Sequence, residues 1–228
     1  MTFPAKFRGT LKETIQSVLK SGLAWRVSGF TYPTAVYATK GRFLAVTPYL
    51  SYCQAENAKT IPEHVFDRKC RALEFGCGLG GHLIALGHRL DAGVGVDVNR
   101  GYLRLARRLA QTRGLTNLTF LDYDGTHLPE VGKFDLILSV NVFERIPKHS
   151  VQQYISWMRS CLRPRGVMVL SFLHERAAKS SFVSLLGDQA YVYWTSEEVQ
   201  ETLAAAGFDI DDAFDWGRAA FLVIASAE

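Results

Sequence analysis

The sequence predicts an α/β fold, a doubly wound and mostly parallel sheet, and three observations carry that prediction. A glycine-rich turn, Gly76-Cys77-Gly78-Leu79-Gly80-Gly81, stands between a short apolar run and a run with helical spacing. Beyond it, strand-like and helix-like segments alternate, the pattern of parallel strands joined by helical crossovers. The chain of 228 residues, 48% hydrophobic, is long enough to bury one substantial core.

Near the start, Thr10-Leu11-Lys12-Glu13 reads as a capping box, with Leu11, Ile15, Val18 and Leu19 at helical spacing and Gly22 closing an amphipathic helix. Residues 23–60 mix Trp25, Phe30, Tyr32, Tyr37, Phe43, Tyr49 and Tyr52 with glycines and prolines, without a clean period, so short helices and loops are expected. A strand over 71–75 and a helix over 82–90 flank the glycine turn. There follow a strand over 94–98, a helix over 101–112, strands over 118–121 and 134–140, a helix over 151–162 and a strand over 166–172. Arg163-Pro164-Arg165-Gly166 marks the turn before that last strand. Thr195-Ser196-Glu197-Glu198 is a second capping box, its helix running to Gly207 with Val199, Leu203 and Ala206 on one face. Residues 208–215 and 219–226 read as a closing antiparallel β-hairpin around Asp215-Trp216-Gly217-Arg218.

Small residues at the carboxyl end of a strand let backbone approach a nucleotide-like ligand closely. Gly76, Gly78 and Gly81 also satisfy the dinucleotide fingerprint G-x-G-x-x-G, so a nicotinamide-dependent oxidoreductase stands as one alternative. Three further features bear on the choice. Glu74 precedes Gly76 by two residues, Asp97 ends the next apolar run, and two later segments, 120–129 and 134–147, follow in order. Together these resemble the class I S-adenosylmethionine-dependent methyltransferases.

That resemblance implies a seven-stranded sheet with the C-terminal hairpin, and an N-terminal helical cap of residues 1–60 over a methyltransferase domain of residues 61–228. It implies S-adenosyl-L-methionine as cofactor. Glu74, Gly76, Gly78 and Gly80 belong to the loop that packs against its methionine part, and Asp97 holds both ribose hydroxyls. Asp124 takes the adenine edge, with Asp122 as rival, and the Gly125 N–H donates to a ring nitrogen. Val98 and Val140 complete the cofactor-binding set.

The candidate catalytic residues follow strands four and five: Asn141 and Glu144 after the former, His174 and Glu175 after the latter. His174 titrates near neutral pH and suits a general base, or is a loop histidine without duty. The residue after Glu144 is often histidine in the family and is Arg145 here. It either binds a carboxylate or phosphate on the substrate or pairs with Glu144 or Asp135. His127 reads as structural or solvent-facing. Tyr191, Tyr193 and Trp194 either wall an acceptor pocket or form a hydrophobic staple with core packing.

A net charge of +4 from scattered arginines argues against a nucleic-acid partner, and Arg104, Arg107, Arg108 and Arg113 read as a solvated helix face. Cys53, Cys70, Cys77 and Cys161 have no C-x-x-C spacing, so no zinc site or disulfide framework is read and reduced thiols are expected. No apolar run approaches the ~20 residues that span a bilayer, and no metal ligand set is evident. The expectation is a cytoplasmic enzyme, compatible with a homodimer, that methylates a small-molecule acceptor at oxygen in preference to nitrogen. A catalytically inactive methyltransferase-like binding protein is the other alternative.

Overall fold

The computed structural model describes residues 26–27, 30–31, 46–175, 191–216 and 220–226. The helix expected over 10–22, most of the aromatic-rich stretch before residue 46, the insertion over 176–190 and the turn at 217–219 lie outside the described residues.

At the end of the stretch expected to hold short helices and loops, residues 46–60 form one helix of 15 residues, α1 (Val46–Thr60). Pro48 falls in its first turn, where a backbone N–H has no intrahelical partner, so the helix tolerates it. Its inward face is partly polar, with Glu56, Asn57 and Thr60 buried beside Leu50 and Cys53, and that mixture hides the helical period. Asn57 is held on both sides by the helix α2 (Gly81–Leu86). Its Nδ2 donates to the His82 carbonyl at 3.1 Å and its Oδ1 lies 2.7 Å from His82 Nδ1. Burial pushes His82 down to about 4, so the ring is neutral and donates to Asn57.

Five parallel strands form the centre: β1 (Cys70–Phe75), β2 (Leu90–Asp97), β3 (Leu118–Asp122), β4 (Phe134–Ser139) and β5 (Leu162–Leu173). Their order across the sheet is β3-β2-β1-β4-β5, every neighbouring pair parallel. The crossovers carry α3 (Arg100–Thr112) after β2 and α4 (Lys148–Cys161) after β4. Next come α5 (Ser196–Ala205), then β6 (Asp209–Trp216) and β7 (Ala220–Ser226). β7 pairs antiparallel with β5, and β6 antiparallel with β7.

Strand alternation sorts the core into two layers, because successive side chains point to opposite faces. Ala72, Leu136, Leu138, Val167 and Val169 pack on one face with Leu83 of α2 and with Leu103, Ala106 and Leu109 of α3. Leu73, Phe75, Ile137, Met168 and Leu170 pack on the other with Val151, Ile155 and Met158 of α4 and with Val199 and Leu203 of α5. Each fully buried large apolar side chain contributes about 1.5–3 kcal/mol. Local chemistry sets the helix starts. The Asn99 side chain accepts from the N–H groups of Gly101 and Tyr102 at the head of α3, and the Thr195–Glu198 capping box starts α5.

β5 begins four residues earlier than the expected 166, at Leu162, with its register to β4 interrupted between Phe134 and Leu136. There Arg165 adopts φ +59, a left-handed conformation that costs a non-glycine residue roughly 1–2 kcal/mol. Asp135, at the start of β4, accepts from Arg71 N and Arg163 at 2.9 Å each and meets Arg68 at 3.5 Å. All four cysteines are buried and none forms a disulfide.

Candidate active site

Strand order reverses between β1 and β4, so the chain leaving one turns away from the chain leaving the other and a crevice opens at their carboxyl ends. A cavity of about 470 Å³ occupies it.

The β1–β2 side is shaped by the backbone of the glycine turn. Gly76, at φ +71, could carry no side chain: a Cβ there would lie 2.3 Å from Val142 Cγ2. Gly80, at φ +69, is closed in the same way by Phe120 at 2.4 Å. Gly76 N and Cys77 N donate to the Val96 carbonyl, and Gly78 N donates to Asp97 Oδ2 at 2.8 Å. Asp97 Oδ1 accepts from Asn99 N at 2.7 Å. Burial raises the Asp97 carboxyl above the usual carboxylate range, while the N–H groups of Asn99, Gly78 and Val98 draw it back down. Val98 beside it is 56% exposed and lines the cavity together with Gly76, Asp97 and Gly125.

Glu74 lies beneath this turn, buried, with Oε2 accepting from Leu83 N at 3.3 Å. Burial, reinforced by the Asp97 charge, pushes its carboxyl up to about 8. It ties β1 to α2 and does not line the cavity; neither do Gly78, Gly80 or Val140. The two aspartates that compete in sequence have separate partners. Asp122 pairs with Arg100 Nε at 2.7 Å. Asp124 accepts from Thr126 N, His127 N and the His127 ring within its own loop. The His127 ring above all, then these backbone donors, hold Asp124 well below the usual carboxylate range. From that loop Gly125, not Asp124, reaches the cavity.

The β4 side is built from side chains. Asn141 takes φ +59, tolerated by asparagine better than by most residues, and its N–H donates to Ser171 Oγ at 2.7 Å. The 3-10 turn Phe143–Arg145 follows. Phe143 stacks on Phe172 inside the core at 5.1 Å, and Glu144 is buried, its carboxyl raised by burial to about 7. Arg145 lines the cavity and lies over the Tyr191 ring at 5.4 Å. It is remote from Asp135, one of the partners suggested in sequence, because that residue starts β4 while Arg145 follows its end.

Of the four candidate catalytic residues, Asn141 alone lines the cavity. Glu144, His174 and Glu175 instead use backbone to hold the segment before α5. Glu144 O accepts from Val192 N, Glu175 N donates to Trp194 O, and His174, itself buried, bridges to Trp194. The aromatic cluster divides: Trp194 is core, edge-on to Phe172 at 5.2 Å, while Tyr191 backs Arg145. Sequence reasoning missed Tyr102, Tyr123 and Tyr154, all on the cavity wall. Tyr154 was within reach of it, since a tyrosine in the apolar stripe of α4 needs a partner for its hydroxyl; here it donates to Gly125 O at 3.1 Å.

Residues 72–166 match the family described as a methyltransferase domain. The chain is 31% identical over 117 residues to a Pseudomonas putida protein named "Probable fatty acid methyltransferase", covering 46% of this chain and 29% of that protein. It is 30% identical over 156 residues to the ubiquinone biosynthesis O-methyltransferase of Roseobacter denitrificans, covering 61% of this chain and 60% of that protein. The chain therefore spans less than two thirds of the length of either relative. The fold is shared with magnesium protoporphyrin IX methyltransferase from Synechocystis PCC 6803, solved with bound SAH, at TM-score 0.59 and 18% identity over 81% of this chain and 82% of that one. The glycine turn and the acid that ends β2 both fall within the matched stretch, and that stretch is similar to methyltransferase domains.

Proposed function

We propose that this protein transfers a methyl group from S-adenosyl-L-methionine to a small-molecule acceptor, at oxygen in preference to nitrogen. The observation that carries the reading is the cavity at the strand-order reversal, joining Gly76 of the glycine turn and Asp97 on one side to Asn141 and Arg145 on the other. The residues fit such a cofactor: positive-φ glycines that admit no Cβ, a buried carboxylate and an exposed valine lie together. Asp97 is assigned the ribose hydroxyls, Val98 and Gly125 the adenine, and the turn from Gly76 to Gly80 the methionine part, with Glu74 and Asp124 holding the two loops in shape. Bound there, the cofactor supplies a methyl group on a positively charged sulfur, which is already electrophilic.

What the protein must add is orientation and exclusion of water, effects worth roughly 7–11 kcal/mol when reactants are well placed. Asn141 and Arg145 orient the acceptor, while Phe75, Tyr123 and Tyr154 wall it in. The preference for oxygen is supported by the name of the Roseobacter relative. We further assign residues 1–60 as a cap, supported by the Asn57–His82 link from α1 to the helix after the glycine turn, on a complete sheet of seven strands closed by the C-terminal hairpin. We read it further as a cytoplasmic enzyme, compatible with a homodimer, acting without a metal or nucleic-acid partner; no helix among the described residues is long and apolar enough to cross a membrane.

Calorimetry tests the cofactor assignment. Adenosylhomocysteine is expected to bind and NADH not to; the reverse result would sink the reading in favour of an oxidoreductase. Mass spectrometry of the methylated product then decides between oxygen and nitrogen. Removing residues 1–40 is expected to leave the sheet folded by circular dichroism but abolish transfer; full turnover by that truncation would remove the cap assignment.

A further inference from the structure

We propose that the protein holds a second site, for a small phosphate monoester, at the opposite end of the sheet from the crevice, with Arg165 and Arg68 receiving the phosphoryl group. A cavity of about 370 Å³ lies there, lined by His64, Val65, Asp67, Arg68, Asp135 and Arg165. That volume falls within the range of about 300–1,000 Å³ that small-molecule sites occupy. Asp135 lies at the start of β4, Arg68 just before β1 and Arg165 near the start of β5, so three segments far apart in sequence meet at the amino-terminal ends of the strands.

Arg165 is the residue that marks this cavity. Its φ of +59 is a conformation that glycine takes freely and arginine does not. Such strain persists only where the surrounding structure imposes it, and it gathers at ligand clamps and switch regions. Yet Arg165 is exposed, and its guanidinium makes no hydrogen bond or ion pair among the described residues. The fold gains no polar contact from that side chain, which stands uncommitted on the cavity wall.

Asp135 does not cancel its charge. That carboxylate already accepts from Arg71 N and Arg163 at 2.9 Å each and meets one Nη of Arg68 at 3.5 Å. With Arg163 counted beside Arg68 and Arg165, three guanidiniums stand against the two carboxylates of Asp135 and Asp67, a balance of one positive charge. Arg68 keeps N–H groups beyond the one directed at Asp135, and His64 can add a ring N–H. Donors arriving from separate segments suit a phosphoryl group, whose three oxygens accept from several directions, better than a carboxylate, which one planar fork satisfies.

The test is calorimetry on the full chain at constant ionic strength, titrated with glycerol 3-phosphate and, separately, with glycerate, a carboxylate of similar size. Glycerol 3-phosphate is expected to bind at least about tenfold more tightly. Arg165→Gly is expected to weaken it about tenfold or more. Because glycine relieves the left-handed strain, that variant should unfold at no lower urea concentration than the parent, so lost binding is not a lost fold. Asp67→Asn removes a like charge from the wall and is expected to tighten binding about two- to fivefold, an effect of opposite sign. Saturation with adenosylhomocysteine is expected to leave glycerol 3-phosphate affinity unchanged, whereas competition would place the phosphate in the crevice and overturn the proposal. Equal binding of phosphate ester and glycerate, binding of neither, or an affinity that survives Arg165→Gly would overturn it as well. Inorganic phosphate binding as tightly as the ester would make the free ion the ligand and overturn the assignment to an ester.

Discussion

On the β1–β2 side of the cavity a ligand meets a turn whose shape is set by backbone: Gly76 and Gly125 present no side chain, and Asp97, beside Val98, Tyr102 and Tyr123, is fixed by N–H groups of the turn and the strand end. On the β4 side it meets Asn141, Val142, Arg145, Ile146 and Tyr154, whose positions depend on helix, core and the segment before α5. The difference is one of tolerance. A site made of backbone dictates residue type, because a positive φ with no room for a Cβ leaves only glycine. A site made of side chains can be rebuilt with other residues, so the first half suits an invariant ligand and the second a variable one.

The largest expected effect falls on the backbone half. Asp97→Ala removes an acceptor of two charge-assisted hydrogen bonds, each worth roughly 1.5–3 kcal/mol, so adenosylhomocysteine affinity should fall by about a hundredfold or more while circular dichroism stays native. Unchanged affinity in calorimetry would show that the half is held by the glycines without it.

The seam between the halves comes next. Gly76→Ala forces a left-handed alanine and a Cβ 2.3 Å from Val142 Cγ2, and strain plus overpacking should cost about 2–4 kcal/mol in urea unfolding. Adding Val142→Ala should return the overpacking share only. A double variant no more stable than the single would mean the two sides do not constrain each other.

A smaller effect is set by pH, through one buried carboxyl in each half. Glu144 stands at about 7 and Glu74 at about 8 in the folded chain, against 4.5 when unfolded. The folded state therefore holds each proton more tightly. The stability each contributes is fully present below pH 4.5 and is lost as pH rises through about 7 for Glu144 and about 8 for Glu74. Glu144→Gln should flatten its part of that decline, becoming more stable relative to the parent at pH 8 than at pH 5 by on the order of 2 kcal/mol. Urea midpoints at the two pH values check it, and an unchanged difference would place the Glu144 carboxyl in contact with water.

The smallest effect separates the two loop aspartates. Asp124→Asn breaks the arrangement with His127 that shapes the loop before Gly125, and should weaken adenosylhomocysteine binding only about two- to fivefold. Asp122→Asn, which loses the exposed pair with Arg100, should do nothing measurable. The opposite ranking would give Asp122 the role at the adenine edge.

The same contrast explains what could be read in the sequence. Gly76, Asp97 and the strands around them were legible because turn geometry and burial restrict residue choice. The capping box at Thr195 was legible because its reciprocal hydrogen bonds need those two side-chain types. Helix α1 was not: its inner face uses Asn57, matched to His82 in another helix, and no local pattern announces a polar pair made across space. His174 was a fair base by position, yet the ladder to Trp194 turns it into the core. Arg145 was visible as a departure, but the ring beneath it comes from Tyr191, which only the folded chain brings near.

The buried cysteines give the molecule something separate from its chemistry. Burial raises the Cys70 thiol to about 12, Cys77 well above its ordinary value and Cys161 upward as well, and thiol reagents attack the thiolate. At mild alkaline pH the folded chain should be nearly silent toward such reagents, so each labelling event records an opening. Cys53 sits in α1, Cys70 at the start of β1, Cys77 in the glycine turn and Cys161 at the end of α4. Timed alkylation read by mass spectrometry thus provides four native stopwatches, and the one in the turn runs on the loop that a ligand would clamp.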